Sequence, residues 1–511
     1  MTSIPHQRFL VPGEPVGWHR TALTLTGAAL EGQATTLLDN GFRLALVAGH
    51  DDGDTLAAVY LFTGPDDQRV ELHVPLRRAY PHLPSLARIS FPAGRFEREM
   101  HDLYGIVPDN HPLPRRLVRH FHWPKGWHPM LKDAGDPPVF GDTEGPFPFR
   151  TVEGPGVYEI PVGPVHAGLI EPGHFRFSVV GETILNLKAR LWFVHKGIEK
   201  LFEGRVPAAA VELAERVSGD TAVGHTLAFC LAVEDALGLA VSQDAHQIRA
   251  VLLELERLYN HITDLGALCN DVGYGILNNH AQRVREQLLR INDHVTGHRL
   301  LRGGIHPGGA TLRQLPDPEV LAAIATDIAE IVAIALDHSI VRDRFTGTAV
   351  LTTQQATDLG TLGYVARASG LPVDARHDHP SLPRGFARTD HTHTDGDVLS
   401  RFMVRAEEIQ ASVAMITQLL EDLGGNREPT TARTDTAPGQ TRSGVGICEG
   451  WRGTIVHRVQ LDADGILPRV KIVDPSFFNW PALPLALTDT IVPDFPLTNK
   501  SFNLSYAGND L

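Results

Sequence analysis

The chain has 511 residues, 42% of them apolar, enough for two or three domains with sizeable cores, and a formal charge of −14 from 60 acidic and 46 basic side chains. That balance excludes nucleic acid as a general partner, and no basic stripe with interleaved aromatics appears. Its three cysteines, Cys230, Cys269 and Cys448, lie far apart in sequence; they support neither a disulfide framework nor an internal iron-sulfur site, and they fit a reducing compartment.

The first residues, Met1-Thr-Ser-Ile-Pro-His-Gln-Arg8, lack a basic region followed by an apolar core, so no signal peptide is expected. A helix-like stretch from Ala22 to Asn40 precedes alternating segments at Phe42–Val47, Leu56–Phe62 and Val70–Val74, with Asp51-Asp-Gly-Asp54 as a turn. This pattern predicts a small antiparallel sheet in an α+β domain. Phe96-Glu-Arg-Glu-Met-His-Asp-Leu-Tyr-Gly-Ile106, His111-Pro-Leu-Pro-Arg-Arg116 and Met130-Leu-Lys-Asp133 follow in order. Together they resemble the signature of the 30 kDa subunit of respiratory complex I, which implies a docking role without catalysis of its own.

Ala134 to Pro148, dense in Pro, Gly and acid, reads as a linker. Beyond it, Gly163-Pro-Val-His166 and Glu171-Pro-Gly-His-Phe-Arg-Phe-Ser-Val-Val-Gly-Glu182 predict a hairpin, since Phe175, Phe177 and Val179 alternate with polar residues. A helix is expected to carry Trp192-Phe-Val-His-Lys-Gly-Ile-Glu-Lys200, which resembles the His-Arg-Gly-Ile-Glu-Lys run of the complex I 49 kDa subunit and of membrane-bound hydrogenases, with Lys196 in place of the arginine. The resemblance implies a proton-passing role for Glu199, whose carboxyl in a partly apolar pocket is expected to have a raised pKa.

Glu215-Arg-Val-Ser-Gly-Asp-Thr-Ala-Val-Gly-His225 reads as a tight turn running into a helix. With cysteine at Ser218 and Thr221 it would match the first metal-binding motif of NiFe-hydrogenase large subunits. Near the C-terminus, Asp474-Pro-Ser-Phe-Phe-Asn479 occupies the place of that family's Asp-Pro-Cys-x-x-Cys. Both halves of the motif are present and all four thiolates are missing, and hydroxyls and an amide are poor ligands for a soft nickel-iron pair.

Between the halves, Ile248 to Gly266 places Val251, Leu255, Leu258, Ile262 and Leu265 on one helical stripe, with Glu256 and His261 as core-facing polar groups. Leu321 to Leu336 is the most apolar helix candidate, too short and too charged to cross a bilayer. Gly303-Gly-Ile-His-Pro-Gly-Gly309, Asp343-Arg-Phe-Thr-Gly-Thr348 and Gly363–Arg376 continue the family resemblance, and no Gly-Lys-Ser/Thr follows the glycines to make a phosphate loop. The His- and Asp-rich stretches Arg376–Pro380 and Thr389–Asp397 read as solvated loop rather than metal site, and Glu421–Ser443 as a flexible segment. Glu449-Gly-Trp-Arg-Gly453 resembles the hydrogenase run whose arginine hangs over the metal, which puts Arg452 at that position.

The expected architecture is therefore α+β: a complex I 30 kDa-like antiparallel α/β domain at 1–133, a linker at 134–155, and a mainly helical 49 kDa or hydrogenase large-subunit-like domain at 156–511 that opens with a β hairpin. The fused form looks like the large subunit of hydrogenase-4 and formate hydrogenlyase, and the Glu171–Arg176 hairpin favours that branch over complex I. By gapless matching, Ile170 and Gly219 stand at complex I's quinone-binding histidine and tyrosine positions. The resemblance implies Glu199, Arg452 and His225 as catalytic candidates, and a vacated metal or redox cavity lined by Ser218, Thr221, Ser476, Asn479 and His166. It implies a subunit of a respiratory complex, cytoplasmic and peripheral on the inner face of the membrane. Its neighbours would be an iron-sulfur small subunit with a 4Fe-4S cluster and antiporter-like membrane subunits, with no cofactor on this chain and nickel-iron unlikely. A quinone-reducing enzyme with an altered site and a non-catalytic scaffold both stay open as alternatives.

Overall fold

The computed structural model describes residues 13–141, 145–167, 170–382, 391–424 and 440–511. Most of the Glu421–Ser443 stretch and part of the Thr389–Asp397 stretch lie outside them. The chain divides into two compact units, Met1–Phe147 and Pro148–Leu511.

In the first unit a five-stranded sheet runs in the order Glu14–Gly17, Arg20–Thr24, Arg69–Arg77, Thr55–Thr63, Arg43–Asp51. It is antiparallel except that Arg20–Thr24 pairs parallel with Arg69–Arg77, a pairing the alternation pattern did not reveal. Helix Gly27–Asp39 buries Leu30, Ala34 and Leu37, an apolar stripe at helical spacing.

The complex I-like motif residues turn out to be local fasteners. In helix Phe91–Tyr104, Asp102 Oδ2 accepts the backbone N–H groups of Leu117, Val118 and Arg119 at 2.7, 2.9 and 3.1 Å. Arg98 donates to the carbonyls of Arg115 and Arg116 at 2.7 and 2.9 Å, so the two side chains draw the His111–Arg119 segment onto the helix. Glu97 receives Leu86 N–H at 2.7 Å and Ser85 Oγ–H at 2.5 Å, and its burial pushes the carboxyl up to about 7 against these hydrogen bonds.

The second unit opens with three antiparallel strands: His174–Val180 in the centre, Val157–Val162 and Thr183–Arg190 on its flanks. The predicted hairpin thus gains a third strand, and Phe175, Phe177 and Val179 point inward as expected. Helix Gln243–Asp271, capped by Ser242, runs 29 residues with Val251, Leu255, Leu258, Ile262 and Leu265 all buried. Around it stand helices Ala222–Leu237, Gly275–Thr296, Pro318–Asp337 and Val398–Leu423, and a three-stranded antiparallel sheet of Arg442–Gly450, Gly453–Leu461 and Arg469–Val473. Among the described residues no helix is long and apolar enough to cross a membrane.

The expected helix at Trp192–Lys200 forms only over Ile198–Phe202. Trp192 adopts a left-handed backbone at φ 67°, which helical geometry does not allow, and the run is tied to the buried tail instead. Lys196 N–H and Gly197 N–H donate to a Leu511 backbone oxygen at 2.7 and 3.2 Å, and Val194 N–H donates to Asp510 Oδ2 at 3.0 Å.

Helix Ala222–Leu237 packs on strand Arg442–Gly450 through Gly444 and Gly446, where a Cβ would run into the carbonyl oxygens of Ala232 and Ala228 respectively. The obstacle is helix backbone, which cannot swing aside. Gly446→Ala is therefore expected to lower stability by about 1–3 kcal/mol, the range for an overpacked core, read as a fall in thermal or urea midpoint. An unchanged midpoint would show that helix and strand are free to separate.

Candidate functional site

Helix Ala222–Leu237 begins immediately after the first motif, and its start is fixed from another helix. Glu256 Oε2 and Oε1 accept the N–H groups of Val223 and Gly224 at 2.7 and 3.0 Å, satisfying two donors of the first turn that have no partner within the helix. Burial pushes the Glu256 carboxyl up to about 8 despite these bonds. Glu256 thus serves as a remote cap that holds the Ser218–Thr221 turn in place.

In that turn Asp220 is the centre. Arg452 makes a bidentate ion pair with it, Nη1 to Oδ1 at 2.6 Å and Nη2 to Oδ2 at 2.7 Å, and also donates from Nε to Asn503 O at 2.6 Å. Ser218 Oγ and Thr221 Oγ1 each donate to Asp220 Oδ1 at 3.1 Å. Trp451 Nε1–H reaches both Asp220 O at 3.0 Å and Thr221 Oγ1 at 3.1 Å, and its ring lies 3.9 Å from the Arg452 guanidinium carbon. Burial pushes the Asp220 carboxyl up, but Arg452 and the two hydroxyls more than offset it and hold it below its ordinary value. The Asp220 side chain keeps 41% of its surface exposed while Arg452 keeps 4%, so the aspartate and not the arginine meets solvent.

The second motif joins through Ser505. Ser218 Oγ lies 2.7 Å from Ser505 Oγ, and Ser505 N–H donates to Ser476 Oγ at 2.9 Å. Asp474 caps the following short helix by accepting Ser476 N–H at 2.7 Å, and its other oxygen lies 3.0 Å from His225 Nε2. His225 Nδ1 in turn lies 3.0 Å from His457 Nε2, so one of these nitrogens donates and the other accepts. Burial and the neighbouring His225 hold His457 well below its ordinary pKa. Asn479 is committed elsewhere: its amide clasps the backbone of Leu362, accepting N–H at 2.9 Å and donating to O at 3.0 Å. The next residue, Gly363 at φ +64°, lies so close to Arg452 that a Cβ would meet its carbonyl oxygen.

The fold therefore gathers Ser218, Thr221, Ser476, Arg452 and His225 in one hydrogen-bonded cluster, with Asn479 reaching it through Leu362 and Gly363. Two expected members fall outside. His166 lies in the loop between the first two strands of its sheet, with Nε2 2.7 Å from Gly173 O. Glu199 binds Arg469 Nη1 at 2.6 Å, Ile472 N–H at 2.9 Å and Lys471 Nζ at 3.2 Å. The raised pKa expected for Glu199 is corrected: burial does push it up, but Arg469 and Lys471 outweigh burial and hold the carboxyl below its ordinary value. Asp220, Trp451, Asn503 and Ser505 escaped the sequence reading. Asp220 and Trp451 stand inside the two runs that carry the resemblance, but neither run marks them out for a role.

A nickel-iron pair does not fit this donor set. The four positions offer two serine hydroxyls, one threonine hydroxyl and an amide, each already engaged, where a soft metal needs thiolates. All three cysteines are buried; burial pushes the Cys269 thiol up to about 12 and also raises Cys230 and Cys448, disfavouring the thiolate form. Among the described residues no cluster of three or more His, Cys, Asp or Glu side chains is arranged to hold a metal ion.

Residues 24–137 match the family of the respiratory-chain NADH dehydrogenase 30 kDa subunit, 271–443 that of the 49 kDa subunit, and 196–269 that of nickel-dependent hydrogenases. The chain is 34% identical over 426 residues to hydrogenase-4 component G of Escherichia coli, covering 81% of this chain and 73% of that one. It is 33% identical to formate hydrogenlyase subunit 5 of the same organism, covering 81% and 74%. Over 68% of this chain and 71% of the other, it is 30% identical to the fused C/D-type NADH-quinone oxidoreductase protein of Phocaeicola vulgatus. A chain of the membrane-bound sulfane sulfur reductase, an archaeal respiratory membrane complex, shares the fold at TM-score 0.62 and 22% identity, covering 70% of this chain and 99% of that one. The fold and site thus define a complex I-related, hydrogenase-like large subunit. Specifically, the chain belongs to the family of fused 30 kDa/49 kDa-type subunits that contains hydrogenase-4 component G and formate hydrogenlyase subunit 5.

The ion pairs of Glu199 yield a test. Glu199→Gln leaves two buried cations without their carboxylate, a loss of about 3–5 kcal/mol for a broken buried pair. A depressed carboxylate contributes stability that is fully present above its unfolded pKa near 4.5 and lost as pH falls through the lower folded value. The variant should therefore be less stable at pH 7 and lose less on acidification below pH 4.5, measured by urea unfolding across pH. An unchanged stability at pH 7 would return Glu199 to the list of proton carriers.

Proposed function

We propose that this chain is the hydrogenase-like large subunit of a membrane-associated, complex I-like respiratory oxidoreductase, and that it works without a nickel-iron centre. The kinship with hydrogenase-4 component G, formate hydrogenlyase subunit 5 and the C/D-type NADH-quinone oxidoreductase proteins supports the assembly. The metal-free reading is carried by one observation: the four ligand positions hold oxygens and an amide already engaged in hydrogen bonds. In this reading the chain lies on the inner face of the membrane, held there by antiporter-like membrane subunits. Beside it stands an iron-sulfur small subunit whose 4Fe-4S cluster exchanges electrons with a quinone or another carrier near the part-exposed Asp220.

One observation favours a second, non-catalytic reading. Arg452, the residue matched to the arginine over the metal, is neutralised within the chain by Asp220, as in a packed structural core. A scaffold needs only packed interfaces, so Ser218→Ala would leave turnover of the assembled complex unchanged.

Elemental analysis of the chain purified with its partners, alongside hydrogen-uptake and quinone-reduction assays, separates these readings. The expected result is no stoichiometric nickel, no hydrogen uptake, and quinone reduction. Stoichiometric nickel would restore a hydrogenase, and absence of both activities with no nickel would leave the scaffold.

A further inference from the structure

Ser218 and Thr221 stand at the two positions where the matching hydrogenase run has metal-binding cysteines, and Asp220 lies against both. Its Oδ1 lies within hydrogen-bond reach of both side chains of the first motif, 3.1 Å from Ser218 Oγ and 3.1 Å from Thr221 Oγ1. A metal ion shared by those side chains would need the same space, at roughly 2.0–2.3 Å from each ligand atom.

The directions of the hydrogen bonds agree. An ionised carboxylate only accepts, and each hydroxyl has one proton to give. Ser218 gives its one proton to Asp220, so in the 2.7 Å contact with Ser218 Oγ the Ser505 hydroxyl is the donor, while Ser505 Oγ accepts Gly508 N–H at 2.9 Å. Trp451 Nε1–H donates to Thr221 Oγ1 at 3.1 Å, which leaves the Thr221 proton for Asp220 as well. With the two Arg452 contacts at 2.6 and 2.7 Å, four donations converge on one carboxylate. They come from the first motif and from the Trp451–Arg452 turn, and Ser505 extends the chain to Ser476 of the second motif.

We propose that the Asp220 carboxylate is a built-in occupant of the former metal position: it takes over the metal's task of joining the two motifs to Arg452, and it closes the position to metal. This rests on the metal-free reading given above. It adds that the closure is caused by Asp220 and not by the missing thiolates alone.

Chemical rescue tests it in the full chain. Asp220→Ala removes the carboxylate and leaves Arg452, Ser218 and Thr221 around a gap of carboxylate size. Its thermal midpoint should fall below that of the parent, and formate should raise it in a saturable manner by about 2–4 °C where sodium chloride at equal ionic strength does not. Adding Arg452→Met should abolish the formate effect. A folded Asp220→Ala chain with no formate-specific rise would overturn the proposal.

A second experiment does not depend on that variant's stability. Ser218→Cys, Thr221→Cys, Ser476→Cys and Asn479→Cys are combined with Asp220 kept or changed to alanine, and each chain is titrated with cobalt(II), read by its thiolate charge-transfer absorption. Binding at least tenfold tighter without Asp220 is expected; equal affinity overturns the proposal. Nickel in the parent chain would refute the metal-free reading itself, a result separable from both outcomes.

Discussion

Helix Ala222–Leu237 and strand Arg442–Gly450 approach so closely that only hydrogen fits between them at Gly444 and Gly446, and the site depends on this contact. The helix carries the first motif at its N-terminal end and the strand leads straight into the Trp451–Arg452 turn, so their separation decides whether Arg452 reaches Asp220. Glu256 fixes the other coordinate by gripping the first-turn N–H groups of Val223 and Gly224 from helix Gln243–Asp271. Position along the strand is set by glycine and position along the helix by a carboxylate. Both constraints act on backbone, which explains how motif residues far apart in sequence meet within hydrogen-bond distance.

Behind this contact lies a buried polar network that a core built from apolar stripes alone would not contain. Glu408 receives Arg367 Nε at 2.8 Å and faces His261 Nε2 at 2.8 Å; Glu449 receives Arg367 Nη1 at 2.9 Å; Glu254 receives Arg257 Nε at 3.0 Å and Ser412 Oγ at 2.6 Å. Burial holds His261 down at about 4, so it enters the network as a neutral partner. Desolvating so many charges is costly, and their mutual attraction repays it only when each has several well-placed partners. The return is geometric definition: helices Gln243–Asp271 and Val398–Leu423 and strand Arg442–Gly450 are cross-linked by directional bonds instead of by interchangeable apolar contacts.

The sequence made the helical stripe of 248–266 and the inward alternation of Phe175, Phe177 and Val179 legible, because periodicity is a local property. It also made the hydrogenase-like run Glu215–His225 legible, which lies within the residues that match the nickel-dependent hydrogenase family, because it is a short contiguous stretch. What it concealed were relations between distant residues. The parallel pairing of Arg20–Thr24 with Arg69–Arg77 needs a partner 49 residues away, and no local pattern distinguishes it from antiparallel pairing. The Trp192–Lys200 run has helical composition, yet its first half is claimed by the tail through Asp510 and Leu511. Glu199 looked like a carboxyl in an apolar pocket because Arg469 and Lys471 lie some 270 positions downstream. In each case a tertiary partner overrode a sound local reading.

Charge is the thread that connects the Ser218–Thr221 turn to the residues around it. A nest of thiolates is negative, and a buried guanidinium such as that of Arg452 tolerates its surroundings only if a negative charge stands within reach. The four side chains at Ser218, Thr221, Ser476 and Asn479 are neutral and supply no such charge. A cation stranded this way would cost several kcal/mol, more than most single substitutions. A carboxylate inside the same turn, two residues after Ser218 and one before Thr221, supplies the missing charge at the shortest possible distance along the chain. A buried guanidinium at this turn needs a carboxylate within reach, and the bidentate grip between Asp220 and Arg452 has the geometry that such a balance requires.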